Sequence, residues 1–259
     1  IQRLSRDQFL AYRAAHYVPH ATIVVVAGSF DESTILEEIK NIFSAIPSSE
    51  KGSKTPTREY QEQPAVMVKH KATDQTHLVM GVRAFDTFDT RRYALQVLVN
   101  VLGGGMSSRL FQRIREEMGA GYYVSANDDL YTDHGYLAVS AGVEHVKIES
   151  VITAVLEEFS RLVTTPVPSD ELQKAKDHLM GGLVLHLETS EDLANYYGGQ
   201  EVVERELLTP EEVSAKIQAV TVEEIMAVAQ DIFKNEKLNL VVVGPFEDKE
   251  RFEKILTLS

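Results

Sequence analysis

Residues Ser5–Ile39 recur without a gap as Thr221–Ile255, at a constant offset of 216 positions. Each copy opens on a helix-capping pattern, Ser5-x-x-Gln8 and Thr221-x-x-Glu224, in which side chain and backbone cap each other at a helix start. Each continues into an apolar strand, Thr22–Ala27 and Leu238–Val243, and ends in Gly-x-Phe followed by two acids, at Gly28–Glu32 and Gly244–Asp248. Paired positions keep their chemistry: Phe9 with Ile225, Tyr17 with Phe233, Val25 with Val241, Ile39 with Ile255. A helix–strand–helix unit recurring at this distance implies a duplicated domain, because solenoid periods are far shorter. The second copy has a long stretch before it, roughly Pro64 to Val220, whereas only four residues precede Ser5. The chain therefore reads as the tail of one domain followed by a whole second domain.

A stretch rich in Ser, Lys, Gly, Pro, Thr and Glu joins the two. By composition it is a linker. The boundaries expected are 1–46 for the end of the first domain, 47–63 for the linker and 64–259 for the second domain. In the first part Arg6–Tyr17 reads as a helix, His20–Ala27 as a strand and Glu32–Ala45 as an amphipathic helix. In the second, Ala65–Lys71, His77–Ala84, Tyr122–Asn127 and Gly135–Gly142 read as strands. Thr90–Leu102, Ser107–Met118, Val146–Val163, Ser169–Leu187, Ser190–Glu204 and Pro210–Ala219 read as helices, the last capped by Thr209. Strands first, helices later and one returning strand predict an α+β fold, a mainly antiparallel sheet covered by helices on one face.

Charge and composition exclude several functions. The net charge is −13 over 259 residues, which opposes binding to nucleic acid and to anionic membrane surfaces. No apolar run approaches the roughly 20 residues that cross a bilayer. There is no cysteine, so disulfides, thiolate metal sites and a cysteine nucleophile are ruled out.

The densest segment is Leu102–Val124. Gly103, Gly104 and Gly105 precede a helix and could cradle a phosphate, but no Gly-Lys-Ser/Thr ending follows, so a P-loop is disfavoured. A helix C-cap followed by an N-cap at Ser107 or Ser108 accounts for them without a ligand. Arg115 ends that helix and Tyr122 opens the next strand after a Gly-Ala-Gly turn. A guanidinium and a phenol so placed can converge and donate hydrogen bonds to peptide carbonyls. The competing arrangement pairs Arg115 with Glu116 or Asp128 on the surface and puts Tyr122 in the core. Acidic pairs such as Glu157-Glu158, Glu211-Glu212 and Glu223-Glu224 read as solvated or dipole-favoured first-turn residues. The Tyr196-Tyr197-Gly198-Gly199 patch reads as helix-end packing. The eight histidines read as scattered. His16 and His20 straddle a helix end, and His178 and His186 are two turns apart, too far for chelation on one face.

The string Ser108-Arg109-Leu110-Phe111, Arg115-Glu116, Gly119 and Tyr122 resembles the second-domain signature of the pitrilysin-type, or inverted-zincin, metallopeptidases, a family that includes insulin-degrading enzymes and mitochondrial processing peptidases. His16-Tyr17-x-Pro19 and the Val-Val-Ala-Gly ending at Gly28 resemble the exit of its first domain. The resemblance implies tandem domains, one of which binds zinc through His-x-x-Glu-His, a string that this sequence lacks; the metal would be held by residues upstream of Ile1. It also implies that Arg115 and Tyr122 hold the substrate backbone opposite the metal, with Gly103, Gly104 and Gly105 at the place of a substrate-recognition loop that is short here.

On that resemblance the chain is expected to be the substrate-gripping C-terminal portion of a zinc endopeptidase. Zinc-bound water, with the motif Glu as base, would attack peptides enclosed between the two domains. The chain alone is expected to hold no zinc and to cleave nothing. The expected partners are a peptide substrate and the zinc-bearing domain or a homologous subunit, with a homodimer left open and no nucleic acid or membrane. A cytoplasmic location is expected. A non-catalytic recognition subunit and a purely structural scaffold remain the alternatives.

Overall fold

The computed structural model describes residues 3–47, 50, 52–204 and 206–258. It divides into two compact units, one comprising Ile1–Pro56 with Leu185–Leu207, the other Thr57–Val184 with Leu208–Ser259.

The larger unit is an α+β sandwich. Among the described residues it has five strands, β1 (Ala65–His70), β2 (Thr76–Ala84), β3 (Gly121–Leu130), β4 (Gly135–Val143) and β5 (Leu238–Gly244). They lie in the order β1-β5-β2-β4-β3. Only the β1–β5 pair is parallel; the other three pairings are antiparallel. Alternation sets the faces. Leu78, Met80 and Val82 of β2 point inward with at most 1% exposure, as do Leu137 and Val139 of β4 and Leu240 and Val242 of β5. The outward row Met67, Val241 and Val79 stays exposed.

Helices α3 (Arg92–Gly103) and α4 (Ile148–Thr164) cover the inner face with α8 (Val222–Ile232). In α3, eight residues from Ala94 to Gly103 are buried, and α4 buries nine from Ile148 to Leu162. Phe159 of α4 stacks on Phe233 at 4.2 Å between ring centroids. Helices α5 (Ser169–Leu185) and α7 (Pro210–Ala219) complete the layer, and α7 has the expected Thr209 cap with a reciprocal bond from Glu212.

The smaller unit contains α1 (Arg6–His16), α2 (Glu32–Phe43) and α6 (Ser190–Val203). Neither α1 nor α2 buries a residue. Phe9 is 60% exposed and Ile42 69%, so the apolar stripes of these helices are left open.

The repeat is visible in the backbone. Both capping boxes form, at Ser5/Gln8 and Thr221/Glu224. Each leads to a helix of 11 residues and then to a single 3₁₀ turn, Pro19–Ala21 and Asn235–Lys237, at the same offset. The copies then diverge. Leu238–Gly244 enters the sheet as β5, but Thr22–Ala27, expected as a strand, is extended backbone outside any ladder among the described residues. Apolar, β-branched sequence favours the extended form, yet a strand exists only where a neighbour supplies hydrogen bonds.

Two further boundaries differ from the sequence expectation. Of the linker 47–63, Ser48, Ser49 and Lys51 lie outside the described residues, and its second half is strapped to the larger unit. Thr57 donates its N–H to Asp133 at 2.9 Å, Gln61 donates to the Leu238 carbonyl at 2.7 Å, and Arg83 donates to the Gln61 carbonyl at 3.1 Å. Residues 185–207, placed by sequence in the second domain, group with the smaller unit. There Gly198 stands in the middle of α6 rather than at a helix end, and a Cβ on it would lie 3.2 Å from Val25.

Because the core belongs to the larger unit, truncations should separate the two. Phe159→Ala is expected to cost about 3–5 kcal/mol, while Phe9→Ala should stay within about 0.5 kcal/mol. Urea unfolding followed by circular dichroism on both variants measures the contrast.

Candidate functional site

The segment expected as a helix over Ser107–Met118 begins at Arg109 and widens into a π-helix over Phe111–Glu117. The Met118 N–H reaches the Arg113 carbonyl five residues back, at 3.0 Å, and the Ala120 N–H reaches Ile114 at 2.9 Å. Such wide turns are rare and concentrate where a side chain must be re-aimed. Ile114 faces the core with no exposure. Gly119 then turns the chain at φ +54, a left-handed conformation that suits glycine. Strand β3 begins with a bulge between Gly121 and Tyr123, which leaves Tyr122 as the extra residue.

This geometry brings Arg115 and Tyr122 together. Arg115 Nη1 donates to the backbone carbonyl of Tyr122. Its guanidinium carbon lies 5.7 Å from the centre of the Phe111 ring. Neither Glu116 nor Asp128 forms an ion pair with it among the described residues, and Tyr122 is 61% exposed rather than in the core. The remaining guanidinium donors and the Tyr122 phenol stand open to solvent on one helix–strand junction. The neighbouring Tyr123 differs: its hydroxyl meets His77 Nδ1 at 3.1 Å.

An ion cluster braces the π-helix, and it includes Glu158, which the sequence predicts as solvated. Glu158 of α4 is only 3% exposed. Arg113 Nη1 reaches it at 2.9 Å, Arg161 at 2.8 Å and Arg109 at 3.9 Å. Arg113 also pairs with Glu157, and Arg109 grips Glu171 with two bonds of 2.7 Å. A fork-shaped bidentate pair is the stronger kind, and a buried carboxylate persists only with such partners. Pairing across α4 and α5 leaves no spacing signal in the sequence, so Glu157-Glu158 looks like any surface pair.

The three glycines are close-packed. A Cβ on Gly103 would collide with the backbone of Ala126, one on Gly104 would lie 2.5 Å from the Asn100 amide, and one on Gly105 would lie 3.3 Å from His178. Gly104 caps α3 in the right-handed region, φ −79 and ψ −2. Ser108 donates its hydroxyl to the Gly105 carbonyl at 2.6 Å. Close approach therefore accounts for glycine at all three positions.

Farther along β3, Asp128 is half-buried and burial pushes its carboxyl up to about 6, with the adjacent Asp129 adding to the rise. The donor set of a metal site is not assembled: no three His, Asp or Glu side chains converge suitably among the described residues. His16 instead stacks near Tyr12, with ring centroids 4.2 Å apart. These residues do not fit zinc.

The family model described as peptidase M16 inactive domain matches residues 3–179. An uncharacterized zinc protease of Streptomyces coelicolor is 29% identical over 256 residues, covering 96% of this chain and 56% of that protein. The crystal structure of a peptidase M16 inactive domain from Pseudomonas fluorescens superposes with a TM-score of 0.86 at 20% identity, covering 95% of this chain and 59% of that one. A chain of complex III2 from Candida albicans does so at 0.85 with 16% identity, covering 98% and 63%. The chain thus spans a little over half the length of the curated relatives it matches.

Two measurements probe the site's electrostatics. Glu158→Ala removes the buried acceptor shared by Arg113 and Arg161, while Glu157 and Glu171 still pair with Arg113 and Arg109, and should cost about 1–3 kcal/mol; urea unfolding that shows no loss would mean that water replaces the carboxylate. Asp128 has a folded-state pKa raised above its ordinary value, so its contribution is complete below about pH 4 and lost as pH rises towards 6. Asp128→Asn should therefore flatten the stability profile across that window and leave the variant more stable at pH 7, by roughly 1–3 kcal/mol.

Proposed function

The chain belongs to the peptidase M16 inactive-domain family, and on that premise we propose that it is the non-catalytic, substrate-gripping portion of a zinc endopeptidase. Its larger unit acts as the metal-free partner of a zinc-bearing domain, and α1, α2 and the extended Thr22–Ala27 segment belong to the end of that other domain. Two observations support this reading of the smaller unit: its helices α1 and α2 bury no residue, and it repeats the unit that closes the larger one. The zinc of the relatives' names would be held outside the described residues, so the chemistry assigned to this chain runs through its own side chains.

The observation that carries the proposal is an exposed guanidinium tied to the backbone of an exposed tyrosine. Arg115 has no carboxylate partner among the described residues and is fixed through one of its donors to the Tyr122 carbonyl. Its remaining N–H groups can donate to a peptide carbonyl without first breaking an ion pair. Tyr122 offers an exposed side chain at the same junction. Because the Glu158 cluster fixes the helix beforehand, little ordering cost falls on binding. The pair positions an extended peptide and stabilises charge on its backbone; it breaks no bond. Exposed, unpaired gripping groups favour this over a purely structural subunit, for which they would have no use.

In the complete peptidase, Arg115→Ala and Tyr122→Phe should each lower kcat/KM by roughly ten- to a hundred-fold, since a lost hydrogen bond to a charged group is worth about 1.5–3 kcal/mol. Both side chains are exposed, so Tm should hardly move. A lowered Tm with kcat/KM intact in both variants would overturn the assignment.

A further inference from the structure

A second recess in the larger unit gathers polar groups that the reading above does not use. It lies where the end of α3 and the segment Gly105–Ser108 face α5, and it encloses about 260 Å³. Its single acidic lining residue is Glu171, and both oxygens of that carboxylate are occupied by Arg109, at 2.7 Å each. Lys174, one turn along α5, is exposed and has no carboxylate within ion-pair distance among the described residues. One turn further, His178 is held through Nδ1 by the Asn100 amide at 2.9 Å. That bond leaves the Nε2 edge turned towards Gly105, 3.3 Å from where a Cβ would stand. The floor is apolar: Val101 and Ala175 are 3% and 6% exposed.

The free charge of this recess is therefore positive, in a chain of net charge −13. An ammonium with no internal partner, an imidazole held by its far nitrogen and a small apolar floor complement a carboxylate borne on a small aliphatic body. We propose that the recess is a carboxylate subsite for peptides, with Lys174 supplying the charge, His178 and Ser107 the hydrogen bonds, and Val101 and Ala175 the contact for the adjoining carbons. The carboxylate can come from a peptide C-terminus or from an acidic side chain. The subsite shares no residue with Arg115 and Tyr122, so it stands or falls separately from the substrate grip.

The test is titration of this chain with three short acetylated peptides, followed by backbone amide shifts in nuclear magnetic resonance. One peptide ends Ala-Leu with a free carboxylate, one is its C-terminal amide, and one is an amide carrying an internal Glu. The free acid should shift Gly105, Met106 and Ser107 saturably and bind at least ten-fold more tightly than the plain amide. If the Glu peptide binds as well as the acid, side chains are the source; if it behaves as the plain amide, the C-terminus is. Lys174→Gln should weaken binding at least ten-fold, Lys174→Arg should retain it, and Arg115→Ala should leave it unchanged. Lys174 is exposed, so these variants keep the fold. Equal binding of acid and amide, no saturable shift at these three residues, or wild-type affinity in Lys174→Gln would overturn the proposal.

Discussion

Strand β5 holds the architecture together. It lies between β1 and β2, and among the described residues β1 has no other hydrogen-bonded neighbour. The first strand of the sheet is therefore held by one that follows it by more than 160 residues. The helix that leads into β5, α8, brings Ile225, Val228, Ala229 and Ile232 into the core beside α3 and α4. One segment thus closes the sheet and fills the layer above it. Long-range closure of this kind is entropically costly, and it is rewarded only when the apolar face is completed.

At the other end of the sheet, the geometry of the site is set by burial of charge rather than by the sheet. The π-helix carries Arg115 outward while Arg109 and Arg113 reach inward to Glu158 and Glu171. Three arginines within seven residues thus have two different roles. Two are anchors matched to carboxylates, and the third is exposed and keeps most of its donors free. The distinction lies in which helices face the segment, since all three side chains are chemically identical.

The strands and helices of the larger unit were legible because alternation and periodicity follow directly from burial. The β2 pattern around Leu78, Met80 and Val82 needs only one buried face to be read. Spacing across a short turn allowed the convergence of Arg115 on Tyr122 but favoured the competing surface pairing, and only the family resemblance pointed to it; the bulge and π-turn that achieve it left no mark in the sequence. Features that depend on partners distant in sequence stayed hidden. Glu158 resembled its exposed neighbour Glu157 because two of its arginine partners, Arg109 and Arg113, are 45 or more residues away. The segment Thr22–Ala27 looked like β5 because propensity records what a residue favours, whereas a ladder requires a neighbour. Residues 185–207 were assigned by adjacency in sequence and grouped by contacts elsewhere.

Ile23, Val24, Val25 and Val26 form four consecutive apolar, β-branched residues, each about 40% exposed, on backbone that no strand pairs among the described residues. Such a stretch is a template for intermolecular pairing, and copies of this chain present it to one another. Against that attraction stands a net charge of −13 on every molecule. Like-charge repulsion of that size keeps molecules apart while the Debye length is long, and it fades as salt shortens that length to about 10 Å at 0.1 M. The colloidal behaviour of the isolated chain is thus a contest between one sticky strand and a surface of excess carboxylates, with ionic strength deciding the balance.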